Sequence, residues 1–364
     1  MSERIKRIYI KSFRGIHSVS LDDLLQINVL TGDNNCGKTS VLEVLESFQE
    51  PENFSSWYPL IRKGIGDSRQ GISVYEGFYD LFDINSENKC IDYCVEAADG
   101  EDLHVQLSAD EAYELMTSQE YAKKTGNYAG DSKGQVHDAQ MIPTLKLSVK
   151  INDEVRAEES IYDGQQYYLP VPHSKPTYRN IVYISPIRHA EGDIFLSQVL
   201  DNPELYEEML IALKEFDQNI LSINYDRKDS SGRGVYKILS KSLKKALPLN
   251  MYGDGMKKAV LLMSAVIKAK NGILLLDEFE TAIHTSAMDK VFRWILESCI
   301  KLNVQVFLTS HSKEAIDKLL KCAPELKDQI AVYTMYKDSD ETSVRRLSAP
   351  KAIVAQDEMG LELR

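Results

Sequence analysis

Apolar and polar residues alternate in RIYIKSFRGI (7–16) as in a half-buried strand, and the alternation breaks at Gly15. SVSLDDLLQINVLTG (18–32) predicts a second strand that runs into a glycine loop. In TSVLEVLESF (39–48) the apolar residues change to helical spacing. The loop therefore joins a strand to a helix. From about Pro51 to Arg179 the pattern is mixed. CIDYCVEA (90–97), LHVQLS (103–108) and TLKLSVKI (144–151) read as strands, ADEAYELMTSQEYA (109–122) as helix, and 123–138 as an aperiodic surface loop. Regular order returns with the strand NIVYIS (180–185), a helical stretch from about Leu196 to Leu221 and a glycine-rich turn at 226–234. The strongly apolar helix MKKAVLLMSAVIKAK (256–270) follows. NGILLLDEFE (271–280) and NVQVFLTSHS (303–312) are continuous apolar strands with polar tips, separated by the helix SAMDKVFRWILESCIKL (286–302). AVYTMYKDSDETSVRRL (331–347) predicts a closing hairpin. Apolar strands alternating with helices predict an α/β fold, a mainly parallel sheet covered on both faces. The expected division is a core of 1–60 and 180–364, with 61–179 an inserted α+β region carrying its own β-rich layer.

Composition narrows the class. Of the 364 residues 43% are hydrophobic and 27% charged, as in a globular chain with a substantial core. No run approaches the ~20 apolar residues of a membrane span, and MSERIKRIYIK lacks the apolar stretch of a signal peptide, so a cytoplasmic protein without membrane contact is expected. Five scattered cysteines fit reduced thiols, and Cys90 with Cys94 lacks the second ligand pair of a zinc site. A formal net charge of −12 opposes DNA binding by the bare surface. A basic groove around Lys237–Lys245 (KILSKSLKK) is left open, although a solvated face of an amphipathic helix is the better reading of it.

GDNNCGKTS (32–40) carries the first chemistry. Gly32 and Gly37 let backbone N–H groups converge on phosphate oxygens, and the helix behind them adds its positive end. Lys38 supplies a point charge for the β- and γ-phosphates, and Thr39 a hydroxyl for Mg²⁺. At the end of ILLLDEFE, strand-tip carboxylates face the ligand crevice of a parallel sheet. Asp277 is then placed to hold Mg²⁺, directly or through water, and Glu278 to polarise the attacking water. Ser310 and His311 end the strand NVQVFLTSHS within reach of a γ-phosphate. MYGDGMKKA (251–259) sets glycines before an apolar helix and makes a second cradle. With one nucleotide cradle already present, the second suits another subunit's nucleotide. A flexible helix start is the structural alternative.

In this order the four pieces resemble the ATP-binding cassette (ABC) ATPase heads of the SMC and RecF kind. They resemble more closely the ATPase half of the overcoming-lysogenization-defect (OLD) family and related AAA-type ATPases of bacterial anti-phage systems. IKSFRGI looks like that group's first strand, GDNNCGKTS its Walker A motif, LLLDEFE its Walker B, YGDGMKK its signature motif and TSHS its switch-histidine segment. The resemblance covers about 1–50 and 180–350. It implies a P-loop NTPase of ABC-head type with an N-terminal antiparallel β layer. ATP is then bound by Gly32, Asn34, Asn35, Gly37, Lys38, Thr39 and Ser40, with Arg14 close by and Mg²⁺ on Thr39 and Asp277. Glu278 becomes the catalytic base and His311 the switch histidine. Gly253, Asp254, Gly255 and Lys257 would approach the γ-phosphate in the opposite subunit of a homodimer. Gly253 stands where the transporter signature has serine, and Asp254 brings a negative charge that calls for Lys257 or Lys258 nearby. His284 fits the relatives' Glu-x-x-Leu-His-Pro, with Thr285 in place of proline. Ser185-Pro186-Ile187-Arg188 is the candidate Q-loop region.

OLD proteins continue into a TOPRIM nuclease, which needs a glutamate and a later Asp-x-Asp on a separate sheet. About fifty residues follow His311, and Asp338-Ser339-Asp340 falls in a hairpin turn, so no nuclease is expected in this chain. Heptads never persist, which opposes a long coiled coil. The resemblance therefore implies an ATPase that closes head-to-head around ATP–Mg²⁺ and regulates a separately encoded effector, such as a TOPRIM-like nuclease, in anti-phage defence. The alternative is a RecF-like DNA-binding ATPase of DNA repair.

Overall fold

A computed structural model describes residues 4–61, 72–98, 100, 102–125, 139–167, 180–186, 194, 196–200, 202–226, 235–281, 283–338 and 341–358. Two six-stranded sheets organise them. β1 (Ile5–Phe13) turns through Arg14 and Gly15 into β2 (Ile16–Leu21), and β3 (Ile27–Gly32) follows, buried at every position. Helix α1 (Lys38–Ser47) starts directly after the glycine loop. β4 (Ile72–Ser73) leads into α2 (Val74–Tyr79). β5 (Cys90–Ala97), β6 (Asp102–Met116), β7 (Gln140–Ile151) and β8 (Glu154–Tyr162) form antiparallel ladders, with α3 (Ser118–Thr125) between β6 and β7. β9 (Gln166–Tyr167) pairs with β4.

The first sheet runs β2-β1-β5-β6-β7-β8. The strands of 61–179 thus extend the N-terminal layer from the free edge of β1, through pairs such as Tyr9 with Cys94. Residues 109–116, read as helix from the sequence, belong to β6 instead. Their pairing with β7, Ala109 opposite Leu147 and Leu115 opposite Met141, satisfies the backbone along the whole strand, and helix begins only at Ser118. Residues 126–138 of the predicted loop lie outside the described residues.

β10 (Ile181–Ile184) precedes α4 (Ser197–Leu200) and α5 (Pro203–Leu213). The single helix expected over 196–221 is broken at Asn202, whose side chain caps α5 by accepting from the Leu205 N–H, with Pro203 next to it. The end of that stretch is β11 (Ile220–Asp226), paired with β12 (Val235–Ser240) and then β13 (Leu247–Pro248). KILSKSLKK is therefore not a helix face. Its first half is β12, and Lys237 Nζ is tied to Asp226 at 2.6 Å.

α6 (Asp254–Lys268), β14 (Ile273–Leu276), α7 (Thr285–Lys301), β15 (Gln305–Thr309), α8 (Lys313–Cys322), the hairpin of β16 (Ile330–Asp338) and β17 (Glu341–Ser348), and α9 (Ala349–Asp357) complete the chain. The second sheet runs β10-β14-β15-β3-β16-β17 and is parallel up to the final hairpin. Its strands are continuous apolar runs because both faces are covered. Leu274, Leu276, Val306 and Leu308 enter one core with α6, α7 and α8, while Ile273, Leu275 and Phe307 enter the other with α1 and the antiparallel sheet. This is the expected α/β head fold. Among the described residues no helix is long and apolar enough to cross a membrane.

Candidate nucleotide site

The carboxyl ends of β3, β14 and β15 lie side by side, and their tips converge. At β3 the chain enters the loop through Gly32, whose φ is +134°; a Cβ there would lie 2.2 Å from the Met335 carbonyl oxygen. Gly37, at φ +100°, caps α1, and a Cβ would meet Ile16 Cδ1 at 2.7 Å. Asn35 is also left-handed, at φ 62°. These reversals turn successive N–H groups inward, which makes an anion nest at the start of a helix. Asp33, Asn34 and Asn35 form the exposed crest, whereas Lys38 and Ser40 are buried. The Lys38 ammonium lies folded into the loop and donates to the carbonyls of Gly32 at 2.8 Å and Asp33 at 2.7 Å.

Asp277 is the hub of the site. It is almost fully buried, accepts from Thr39 Oγ1 at 3.0 Å and from Tyr183 Oη at 3.3 Å, and is also hydrogen-bonded by Thr309 Oγ1. Thr39 and Asp277 thus present a hydroxyl and a carboxylate side by side. That oxygen pair fits a Mg²⁺ which takes its other ligands from phosphate and water. Such an ion needs no cluster of protein carboxylates, and among the described residues no group of three or more His, Cys, Asp or Glu is placed to hold a metal.

Glu278 has φ 47°, a left-handed value uncommon for a side chain of this length. Its N–H donates to Thr309 Oγ1 at 2.9 Å, and its half-exposed carboxylate stands 3.9 Å from His311 Nε2. Glu280 accepts from Ser310 Oγ at 2.7 Å and from the His311 N–H at 3.3 Å, so it clamps the tip of β15.

Hydrogen bonds join Thr39, Asp277, Thr309 and Glu278, with His311 beside Glu278 and Lys38 held within the loop, whereas Gly253, Asp254, Gly255 and Lys257 stand on a separate element. Those four lie at the start of α6, where Gly253 and Asp254 are exposed and Lys257 Nζ pairs with Asp254 Oδ1 at 3.1 Å. Lys257 thus supplies the expected countercharge. Lys258 instead points inward and is buried, without a hydrogen-bond partner among the described residues, and burial lowers its pKa to about 7. Arg14 is occupied: its guanidinium reaches Glu43 of α1 at 3.4 Å and donates to the Leu60 carbonyl at 2.6 Å, bracing α1 against residues 54–61. His284 caps α7 by accepting from the Ser286 N–H. Of the Q-loop candidate, Ile187 and Arg188 lie outside the described residues, as do Ser339 and Asp340 of the Asp-x-Asp.

Thr309 and Tyr183 belong to the site and went unread in the sequence. Thr309 is the more important, because one hydroxyl serves both Asp277 and Glu278. Thr309→Val keeps the shape, removes both bonds and strands the Glu278 N–H. We expect a loss of about 1–3 kcal/mol in urea unfolding, with Thr309→Ser close to wild type. Equal stability of the Val and Ser variants would remove Thr309 from this role.

Residues 129–317 match the family described as "AAA domain, putative AbiEii toxin, Type IV TA system", and residues 4–169 match "AAA ATPase domain". A Helicobacter pylori protein named ATP/GTP phosphatase is 23% identical over 355 residues, covering 86% of this chain and 87% of that protein. Among solved structures, an SMC head bound to the C-winged helix domain of ScpA superposes with a TM-score of 0.52 at 12% identity, covering 96% of this chain and 99% of that one. An SMC head with an extended coiled coil, bound to the C-terminal domain of ScpA derived from Pyrococcus furiosus, gives 0.52 at 11% identity, covering 99% and 100%. The fold is therefore that of a P-loop ATPase head.

Proposed function

We propose that this chain, which belongs to the AAA-domain family matched over residues 129–317, is an ATP-hydrolysing switch that closes as a homodimer around ATP and Mg²⁺ and controls a partner effector. The observation that carries the reading is the web of bonds from Thr39 through Asp277 and Thr309 to Glu278, built from the start of α1 and two strand tips that are distant in sequence. The Helicobacter pylori relative's name, ATP/GTP phosphatase, supports the same reaction.

In that reaction the loop N–H groups and Lys38 bind the β- and γ-phosphates. Thr39 and Asp277 would hold Mg²⁺, which would supply positive charge against that developing on the phosphate oxygens. Glu278 takes a proton from water as its oxygen bonds the γ-phosphorus; the bond to the β-phosphate oxygen breaks, leaving ADP and inorganic phosphate. His311, next to Glu278, orients the same water or the γ-phosphate.

The second half of the site is inferred from α6. Gly253 has extended backbone at φ −61°, and a Cβ there would meet nothing within 4 Å. Among the described residues nothing requires glycine at this position, and the bare backbone leaves room for a phosphate approaching from outside. A second copy is the source we assign, since a two-fold pair would place each α6 against the other's loop. The effector we propose is a separately encoded nuclease in anti-phage defence. A family description that carries a toxin–antitoxin system supports a role of that kind.

Trans-complementation tests the shared site. Lys38→Met and Gly255→Glu chains are each expected to be inactive alone. Mixed in equal amounts, half of the dimers pair an intact loop with an intact signature at one site in two, so turnover rises above that of either part, to about a quarter of wild type at most. A mixture no more active than its parts overturns the shared site.

A further inference from the structure

Two buried polar atoms of opposite charge lack hydrogen-bond partners among the described residues and belong to neighbouring elements. One is Lys258 Nζ, on the second turn of α6, with the residue only 1% exposed. The other is Glu280 Oε2, in the turn after β14. The remaining oxygen of Glu280 is fully engaged, with Ser310 Oγ and the His311 N–H. The carboxylates acting on Lys258 are Glu280 first, then Glu278 and Asp277. A buried ammonium without a partner is a costly arrangement, and so is a buried carboxylate oxygen without a donor. Each is what the other lacks.

The two atoms also stand at the junction of two machines. α6 is buried along most of its length and packs into the core that includes α7 and β14, so it links its exposed N-terminus to the interior. Its exposed N-terminus, one turn before Lys258, is the part assigned above to the second copy's nucleotide. Glu280 sits two residues after Glu278 and holds the backbone of His311.

We propose that Lys258 is a positioning residue for ATP hydrolysis: when the N-terminus of α6 engages the partner's nucleotide, its ammonium closes onto Glu280 Oε2 and sets the Glu278–His311 pair of its own subunit. The inference rests on the two-copy reading of the site and adds the link between its halves. Binding at one nucleotide then prepares hydrolysis at the other. In the open chain the pair stays apart, and the cost of the unpaired ammonium is removed on closure.

The test uses the full chain with ATP and Mg²⁺ and compares wild type, Lys258→Met, Lys258→Arg, Glu280→Gln and the double variant Lys258→Met/Glu280→Gln. We expect Lys258→Met to lower kcat about ten- to a hundredfold with little change in KM, as for a misplaced catalytic group. Its thermal midpoint without nucleotide at neutral pH should equal or exceed that of wild type, because a buried charge has gone. Lys258→Arg should retain part of the rate, and the double variant should be no slower than the slower single one. Wild-type kcat in Lys258→Met overturns the proposal. So does a loss that comes with a lowered midpoint and multiplies with that of Glu280→Gln, since this marks a packing role only. Absence of turnover in wild type instead overturns the functional reading, and this proposal with it.

Discussion

Changing Glu278 to glutamine is expected to slow ATP hydrolysis by about two to four orders of magnitude, the range a positioned general base contributes. Nucleotide affinity should remain within a few-fold of wild type. The separation follows from geometry. Glutamine has the shape of glutamate, and what fixes this residue is its backbone: a left-handed φ of 47° held by the N–H bond to Thr309. The substitution therefore leaves Asp277, Thr39 and the tip of β15 in place and removes only the basic oxygen next to His311. On the proposed reading, binding belongs to the glycine loop and to Lys38, which the change does not touch. On the two-copy reading, the variant also accumulates as a nucleotide-loaded dimer, because closure precedes hydrolysis and reopening follows it. Single-turnover rates and light scattering with and without ATP measure both effects. Turnover at the wild-type rate, with the chain still monomeric in ATP, would remove Glu278 from the mechanism.

The site was readable in the sequence where chemistry is local. The spacing from Gly32 to Thr39 and the apolar runs before Asp277 and Ser310 each contain their own geometry: a loop before a helix, or a strand with a polar tip. The partners across strands were not readable. Thr309 reaches Asp277 because Leu276 pairs with Leu308, a register set by the sheet and invisible to spacing. The burial of Lys258 was hidden for another reason. In a helix apolar on nearly every face, periodicity cannot tell a buried lysine from a solvated one. The error over 109–116 has a similar origin. Ala109, Ala112, Tyr113 and Met116 recur at helical spacing while Ala109, Tyr113 and Leu115 fit an alternating pattern, and the long ladder with β7 decided between them.

Lys38→Met is expected to weaken ATP binding about a hundred- to a thousandfold. The ammonium lies among loop carbonyls, two of which it hydrogen-bonds at 2.8 Å and 2.7 Å. Phosphate entry exchanges those neutral acceptors for anionic oxygens at the same place. Charge-assisted bonds contribute about 1.5–3 kcal/mol each, so losing one or two accounts for the drop. Arginine should not rescue the variant. The cradle is shaped around a narrow chain, with Ile16 against Gly37 and Met335 against Gly32, and a planar guanidinium cannot take the position of a point charge there. The fold should survive, because Lys38 leads into α1, whose apolar face is held in the core by Val41, Leu42 and Leu45. A calorimetric titration with a non-hydrolysable ATP analogue, paired with a thermal scan, separates loss of the ligand from loss of the fold. Binding within threefold of wild type would mean that the loop N–H groups alone hold the phosphates, and the role of Lys38 would then lie in the transition state.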